Sequence, residues 1–306
     1  MSVNAFIKSI EKSGIAFKKD LPMKEHTSFR IGGNADAAVF PHSREQLVDI
    51  LTVAGDVGIP TFVVGKGSNL LVSDEGYRGV IVFTEGMDRV EFEGNTVYAE
   101  SGVSLTSLSR MVAERGLSGL EFAYGIPGSV GGAVYMNAGA YNSEMKNVTL
   151  SSDWWSPSLG YGTFTGEEQG FDYRESAYMN SDKVILGCRI ALAEGNSEEI
   201  SAYCRELMSR RREKQPLEYP SAGSAFKRYP GRFTGQMIDE AGLKGYSVGG
   251  ASVSTKHAGF IVNMGNATAC DVVELVKRIK EIIFEKEGVM IESEIRYLSS
   301  EGEVKL

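Results

Sequence analysis

Apolar residues recur at helical spacing in several stretches of the chain. Leu47, Ile50, Leu51 and Ala54 share one face behind Ser43, which with Gln46 matches a capping box, so a helix opens there. Leu105, Leu108, Met111 and Val112 predict a second helix over Leu105–Arg115, with Gly116 as its stop. Ile200, Tyr203, Cys204, Leu207 and Met208 predict a third over about 198–212. It runs into Arg210, Arg211, Arg212 and Lys214 until Pro216 stops it. A short helix fits Thr234–Ala241, ended by Gly242. A long one fits Thr268–Glu287, with the stripe Val272, Leu275, Val276, Ile279 and Ile283 and Gly288 as cap. Between these lie short β-branched or aromatic runs at Thr61–Val64, Val80–Phe83, Lys183–Ile190 and Val289–Leu298, which read as strands. Residues 34–100 thus read strand, helix, strand, strand, and residues 117–180 are glycine, aromatics and short extended runs. The order predicts an α+β region over about 1–195, a smaller α+β domain over about 200–288, and a last segment, 289–306, returning to the first region.

With 306 residues the chain has ample material for more than one core. Glycine makes up 36 of those residues, well above the average of about 7%, and no Gly-X-Y period explains it. The excess therefore means tight turns or close backbone approaches. A net charge of −8 disfavours a general nucleic-acid or anionic-membrane binder without excluding a local basic pocket. Cys188, Cys204 and Cys270 form no C-x-x-C, so neither a disulfide scaffold nor a thiolate metal site is expected. His26, His42 and His257 are scattered, so no metal is expected, and His257 reads as a hydrogen-bonded structural residue. No long apolar core marks a secretory signal and no stretch approaches a spanning helix, so a cytoplasmic protein is expected.

Two glycine-rich segments carry the candidate chemistry. In VVGKGSNLLVSD (Val63 to Asp74), a buried strand ends and Gly65, Gly67 and Ser68 turn the chain, with Asn69 placed to hydrogen-bond locally. Successive N–H groups in such a turn form a concave anion site. In GIPGSVGGAVYMNAGAY (Gly125 to Tyr141), five glycines, Ser129 and small alanines leave a bare backbone against which something flat or phosphorylated can lie. A set of tight turns would use the same residues. G-x-G-x-x-G fails at Leu70, and Walker A, G-x-S-x-G and H-E-x-x-H are all absent.

With those segments, the chain resembles the UDP-N-acetylenolpyruvoylglucosamine reductase family. The resemblance runs from HTSFRIGGNAD (His26 to Asp36) through GKGSNLL, the Gly125–Tyr141 run, YRES (Tyr173 to Ser176) and KQPLEYPSAGSAFK (Lys214 to Lys227). It continues through GQMIDEAGLKGYSVGGASVSTKHAGFIVN (Gly235 to Asn263) to ESEIRYL (Glu292 to Leu298). It is the order and spacing of these motifs together that is specific. The resemblance implies an α+β fold of the vanillyl-alcohol-oxidase/PCMH type. Two subdomains, about 1–85 and 86–195, would clasp a non-covalent FAD, and a smaller α+β domain would cover the substrate. With no long insertion after Tyr178, the chain is similar to the shorter family type, which lacks an extra substrate loop. Tyr178 stands where the family has Phe, and 151–170 matches only loosely.

By the same resemblance, the cofactor would be held by Gly65, Lys66, Gly67, Ser68, Asn69 and Leu70. The second loop would add Gly125, Ile126, Pro127, Gly128, Ser129, Gly131, Gly132, Ala133, Asn137 and Gly139, and Gly102 would lie nearby. The implied reaction passes hydride from NADPH by way of FAD to the enolpyruvyl double bond. Negative charge then develops beside the substrate carboxylate and must be stabilised. Arg174 suits that task, because guanidinium is always charged and binds carboxylates bidentately. Ser224 would donate the proton. Glu294 would assist, either protonated or through water or Arg174. Tyr173, Arg210, Lys214, Lys227 and Arg228 would bind substrate: Arg210 near the carboxylate, Lys214 and Arg228 near the diphosphate. For Arg211 and Arg212, a solvated helix end is the expectation, since cations are favoured there. The partners implied are the enolpyruvyl nucleotide sugar and NADPH, acting on a monomer. Two other readings stay open, a different FAD oxidase or dehydrogenase of this fold and a non-catalytic nucleotide-sugar binder.

Overall fold

The computed structural model describes residues 3–306. The chain divides into two compact units that are not consecutive in sequence. The first takes the chain through Lys18, then Ala38–Lys66 and Ile81–Arg211; the second takes Lys19–Ala37, Gly67–Val80 and Arg212–Leu306.

The first unit is built on a five-stranded sheet in the order Gly160–Thr165, Thr149–Ser156, Val184–Ala191, Thr96–Glu100 and Val90–Glu93. Every pairing in it is antiparallel. Alternation decides which face is covered. Cys188 and Ile190 lie opposite Ala99 and Val97 and are fully buried, while Arg189 between them is exposed. Helix Leu105–Glu114 buries Leu105, Leu108 and Val112, and helix Val130–Tyr135 buries Val130 and Val134, in the same core cluster. The helix Arg44–Asp56 begins as the capping pattern predicts: the Ser43 hydroxyl accepts from the Gln46 N–H at 3.2 Å. The Gln46 side chain, however, accepts from the His42 N–H at 2.8 Å rather than from Ser43.

The second unit packs helices Thr234–Glu240 and Ala269–Glu287 on an antiparallel sheet ordered Ser221–Ser224, Phe260–Asn263, Ala251–Val253 and Ser247–Val248. The predicted stripe Val272, Leu275, Val276, Ile279 and Ile283 is buried against Ala251, Val253 and Ile261. Thr268 and Asp271 form a reciprocal capping box at its start, and Gly288 ends it at φ +70°.

The strand expected over Val289–Leu298 is corrected to Arg296–Leu298 alone, which pairs in parallel with Leu70–Val72. Upstream, the chain finds other partners. Glu292 accepts from the Lys227 N–H at 2.9 Å, and the Ser293 hydroxyl accepts from the Ile295 N–H at 3.2 Å, so no ladder propagates. A further sheet is ordered Ala16–Pro22, Asn34–Phe40, Tyr77–Phe83, Thr61–Val64. Its last strand carries the chain directly into the first glycine turn.

Candidate active site

In the first unit the glycine run is laced to the segment before helix Leu105–Glu114. Gly131 N–H donates to Ser101 O at 2.8 Å, Val130 N–H to Val103 O at 2.8 Å, and Leu105 N–H to Gly128 O at 3.0 Å. Side chains are excluded where backbone passes backbone. A Cβ on Gly102 would lie 1.8 Å from Thr84 O, and one on Gly131 would lie 2.7 Å from Ser101 Cβ. A Cβ on Gly65 would lie 2.0 Å from Ser129 Oγ, the atom that accepts from Gly132 N–H and caps helix Val130–Tyr135. Gly132 itself is exposed and, lacking a side chain, presents a bare surface there. Gly65→Ala is therefore expected to displace the cap and lower stability by about 2 kcal/mol, the sum of a lost cap and local overpacking. A thermal melt of the apoprotein unchanged by that substitution would contradict the packing.

Arg174 stands on a tight turn in the same unit. Asp172 and Glu175 exchange backbone hydrogen bonds at 3.2 and 3.0 Å, leaving Tyr173 and Arg174 at the tip. Arg174 has φ +57°, a left-handed conformation that costs a non-glycine residue about 1–3 kcal/mol. Its guanidinium lies over the Tyr173 ring at 4.9 Å and donates to Asn137 O at 3.4 Å and Gly139 O at 3.2 Å. The charge is thus fixed at the end of the glycine run, half-buried. Asn137, expected among the cofactor residues, is fully buried, and its carboxamide is occupied by Asp172 O and Lys146 N–H at 2.9 Å each.

In the second unit Ser28 holds the other loop. Gly67 O accepts from Ser28 N–H at 3.2 Å and Ser68 O from Ser28 Oγ at 3.3 Å. A trans peptide sets its N–H opposite its C=O, so the N–H groups of Ser68 and Asn69 point away from Ser28. Asn69 donates through Nδ2 to Glu294 O at 3.0 Å, and its own O accepts from Arg296 N–H at 3.0 Å. Glu294 N–H donates to Ala225 O at 2.9 Å, which sets Glu294 beside the residue following Ser224. The register of Ser221–Ser224 against Phe260–Asn263 slips between Ser221 and Ser224, and a bulge of this kind re-aims a side chain. Ser224 is exposed and Glu294 half-buried.

The basic residues differ in their surroundings. Arg210 pairs with Glu206 one helical turn away on an exposed face, and Lys214 is exposed at the end of helix Ser197–Lys214. Lys227 Nζ sits 3.2 Å from Glu292, and the Arg228 guanidinium lies over Phe233 at 4.9 Å. Arg211, expected to be solvated, is only 8% exposed, and its Nη1 donates to Gly125 O at 2.8 Å. Burial lowers its affinity for a proton, with Tyr141 opposing that effect. The reason lies in the helix face. Tyr203 is 45% exposed, and the buried stripe is Ile200, Cys204, Leu207 and Arg211. Continuing the 4–3–4 spacing by one step would have found Arg211. His257 is held by Gly259 N–H donating to Nδ1 at 3.1 Å, and burial pushes its pKa down.

Residues 35–155 match the family model described as FAD binding domain, and residues 215–298 match that described as UDP-N-acetylenolpyruvoylglucosamine reductase, C-terminal domain. A protein of that reductase name from Caldicellulosiruptor bescii is 47% identical over 94% of this chain and 93% of its own length. One from Caldanaerobacter subterraneus subsp. tengcongensis is 46% identical over 95% of this chain and 96% of its own. The chain belongs to the UDP-N-acetylenolpyruvoylglucosamine reductase family. The crystal structure of the reductase from Thermus caldophilus superposes with a TM-score of 0.79 at 35% identity, covering 92% of this chain and 98% of that one. The fold is the α+β FAD-binding module of the vanillyl-alcohol-oxidase/PCMH type with a reductase C-terminal domain. The residues present fit FAD. Gly132 presents an exposed surface without a side chain, and the N–H groups of Ser68 and Asn69, turned away from Ser28, suit phosphate oxygens.

Proposed function

We propose that this chain, an FAD-containing oxidoreductase by family, reduces the enolpyruvyl group of UDP-N-acetylenolpyruvoylglucosamine to give UDP-N-acetylmuramate in peptidoglycan precursor synthesis. NADPH is the hydride donor of this reading. The observation that carries it is the junction at Ala225 O, which brings the Ser224 and Glu294 backbones together on motifs that the reductase C-terminal model covers. FAD, when bound without covalent attachment, relays two electrons from nicotinamide to the double bond. Arg174 stabilises the negative charge that develops into the substrate carboxylate. Ser224 delivers a proton to the carbon next to that carboxylate, and Glu294 supports the same step. Arg210 attracts the carboxylate, while Lys214 and Arg228 face the diphosphate. Lys227, already 3.2 Å from Glu292, contributes a charge that this carboxylate partly offsets. The cofactor rests on Gly65–Leu70, Gly102 and the backbone of Gly125–Ala133. Among the described residues no helix is long and apolar enough to cross a membrane.

The test is anaerobic. Yellow holoenzyme should bleach with NADPH and regain colour on addition of the enolpyruvyl nucleotide sugar. Recovery with oxygen alone, at catalytic speed and with an alcohol as donor, would replace the reading by that of an oxidase. Protein that takes up no FAD would be a binder.

A further inference from the structure

The loop that carries Arg174 is not self-supporting: a left-handed φ of +57° at a residue with a long side chain persists only where neighbours over-determine it. Those neighbours converge on one residue 37 positions earlier. Asn137 Nδ2 donates to the carbonyl of Asp172, the first residue of the turn, at 2.9 Å. Its Oδ1 accepts from Lys146 N–H at 2.9 Å, which locks the carboxamide from the other side. Its own carbonyl accepts from the Arg174 guanidinium at 3.4 Å. Asn137 adopts φ +40° and is fully buried, so its side chain has no route to a ligand. A second tie, Ser176 Oγ to Tyr135 O at 2.7 Å, clamps the far side of the turn to the same run.

We propose that Asn137 is a positioning residue for Arg174, its buried carboxamide fixing the turn so that the guanidinium is held in one orientation before substrate arrives. The inference rests on the reading that Arg174 stabilises charge during reduction of the substrate. Pre-set orientation is what such a charge needs, because a displacement of about 1 Å costs on the order of 10²-fold in rate.

The experiment uses holoenzyme and stopped flow. Asn137→Asp keeps the acceptor for Lys146 N–H and sets a carboxylate oxygen, with its buried charge, against Asp172 O in place of the donor. Asn137→Gly removes the side chain while suiting the positive φ, and serves if the first variant fails to fold. Either is expected to keep its FAD and its rate of reduction by NADPH, and to re-oxidise with substrate about 10–100-fold more slowly. Placed on Arg174→Ala, the same change is expected to cost nothing further, since the two act as one unit. Equal slowing of both half-reactions, an undiminished re-oxidation rate, or losses that multiply in the double variant would each overturn the proposal. Wild-type re-oxidation by Arg174→Ala alone would instead overturn the role of Arg174, and the assignment of Asn137 with it.

Discussion

Ser224→Ala is expected to leave bleaching of the bound FAD by NADPH at the wild-type rate and to slow its re-oxidation by substrate about 10²–10⁴-fold, the usual range for a lost acid catalyst. The split follows from where the proton is needed. Hydride transfer between nicotinamide and flavin involves no protonation of substrate carbon, whereas saturation of the enolpyruvyl bond does. Ser224 is exposed, follows Gly223 at φ +78°, and sits at the slipped register against Phe260. The backbone that orients it is anchored on both sides, because Ala225 N–H donates to Gly259 O at 2.7 Å and Ala225 O accepts from Glu294 N–H at 2.9 Å. The alanine variant should therefore fold and melt like the wild type. Re-oxidation at the wild-type rate would remove the hydroxyl from the mechanism, and slowing of both half-reactions alike would point to a disturbed flavin instead.

Much of the scaffold was legible because it depends on local periodicity. The stripe from Val272 to Ile283, the cap at Ser43 and the stop at Gly116 are all settled within about one helical turn of sequence. The final segment misled for the opposite reason. Val289–Leu298 has strand composition, but only Arg296–Leu298 meets a partner strand, Leu70–Val72, over two hundred residues away in the chain. Composition measures fitness for a sheet, not the presence of a neighbour. The site divides in the same way. The glycine runs are visible as an excess of glycine, yet which glycines meet backbone and which face outward depends on Ser101, Thr84 and Ser129, brought up by the fold. Arg211 was hidden by its chemistry: a guanidinium in a basic run reads as solvated until the helical spacing is followed to it. Asn137 was named from its motif as a cofactor residue, but its actual partners, Lys146 and Asp172, were hidden by distance, since they lie 9 and 35 residues off. Residues that act through others leave a weaker trace in sequence than those in the motifs themselves.

For Arg174, activity and stability are expected to part. Arg174→Ala should slow substrate-dependent re-oxidation by about 10²–10³-fold, the cost of one lost donor aimed at developing charge. Arg174→Lys should recover only part of this, because an ammonium is a point charge and has no planar fork to span the carbonyls of Asn137 and Gly139 as well as a carboxylate. Arg174→Gly is the sharper case. Glycine adopts φ +57° without penalty, so the substitution relieves about 1–3 kcal/mol of backbone strain. Against this stand two hydrogen bonds to main-chain carbonyls, each with a net contribution of about 0.5–1.5 kcal/mol. The two effects offset, and the melting temperature should stay within a few degrees of the wild type, or rise, while re-oxidation falls as far as in the alanine variant. A protein that selected this position for stability would carry glycine or asparagine there. If the role proposed for Arg174 holds, the strain at this turn is kept for the sake of its charge. Calorimetry of Arg174→Gly decides between the two: a large loss of stability would show that the guanidinium mainly holds the fold together.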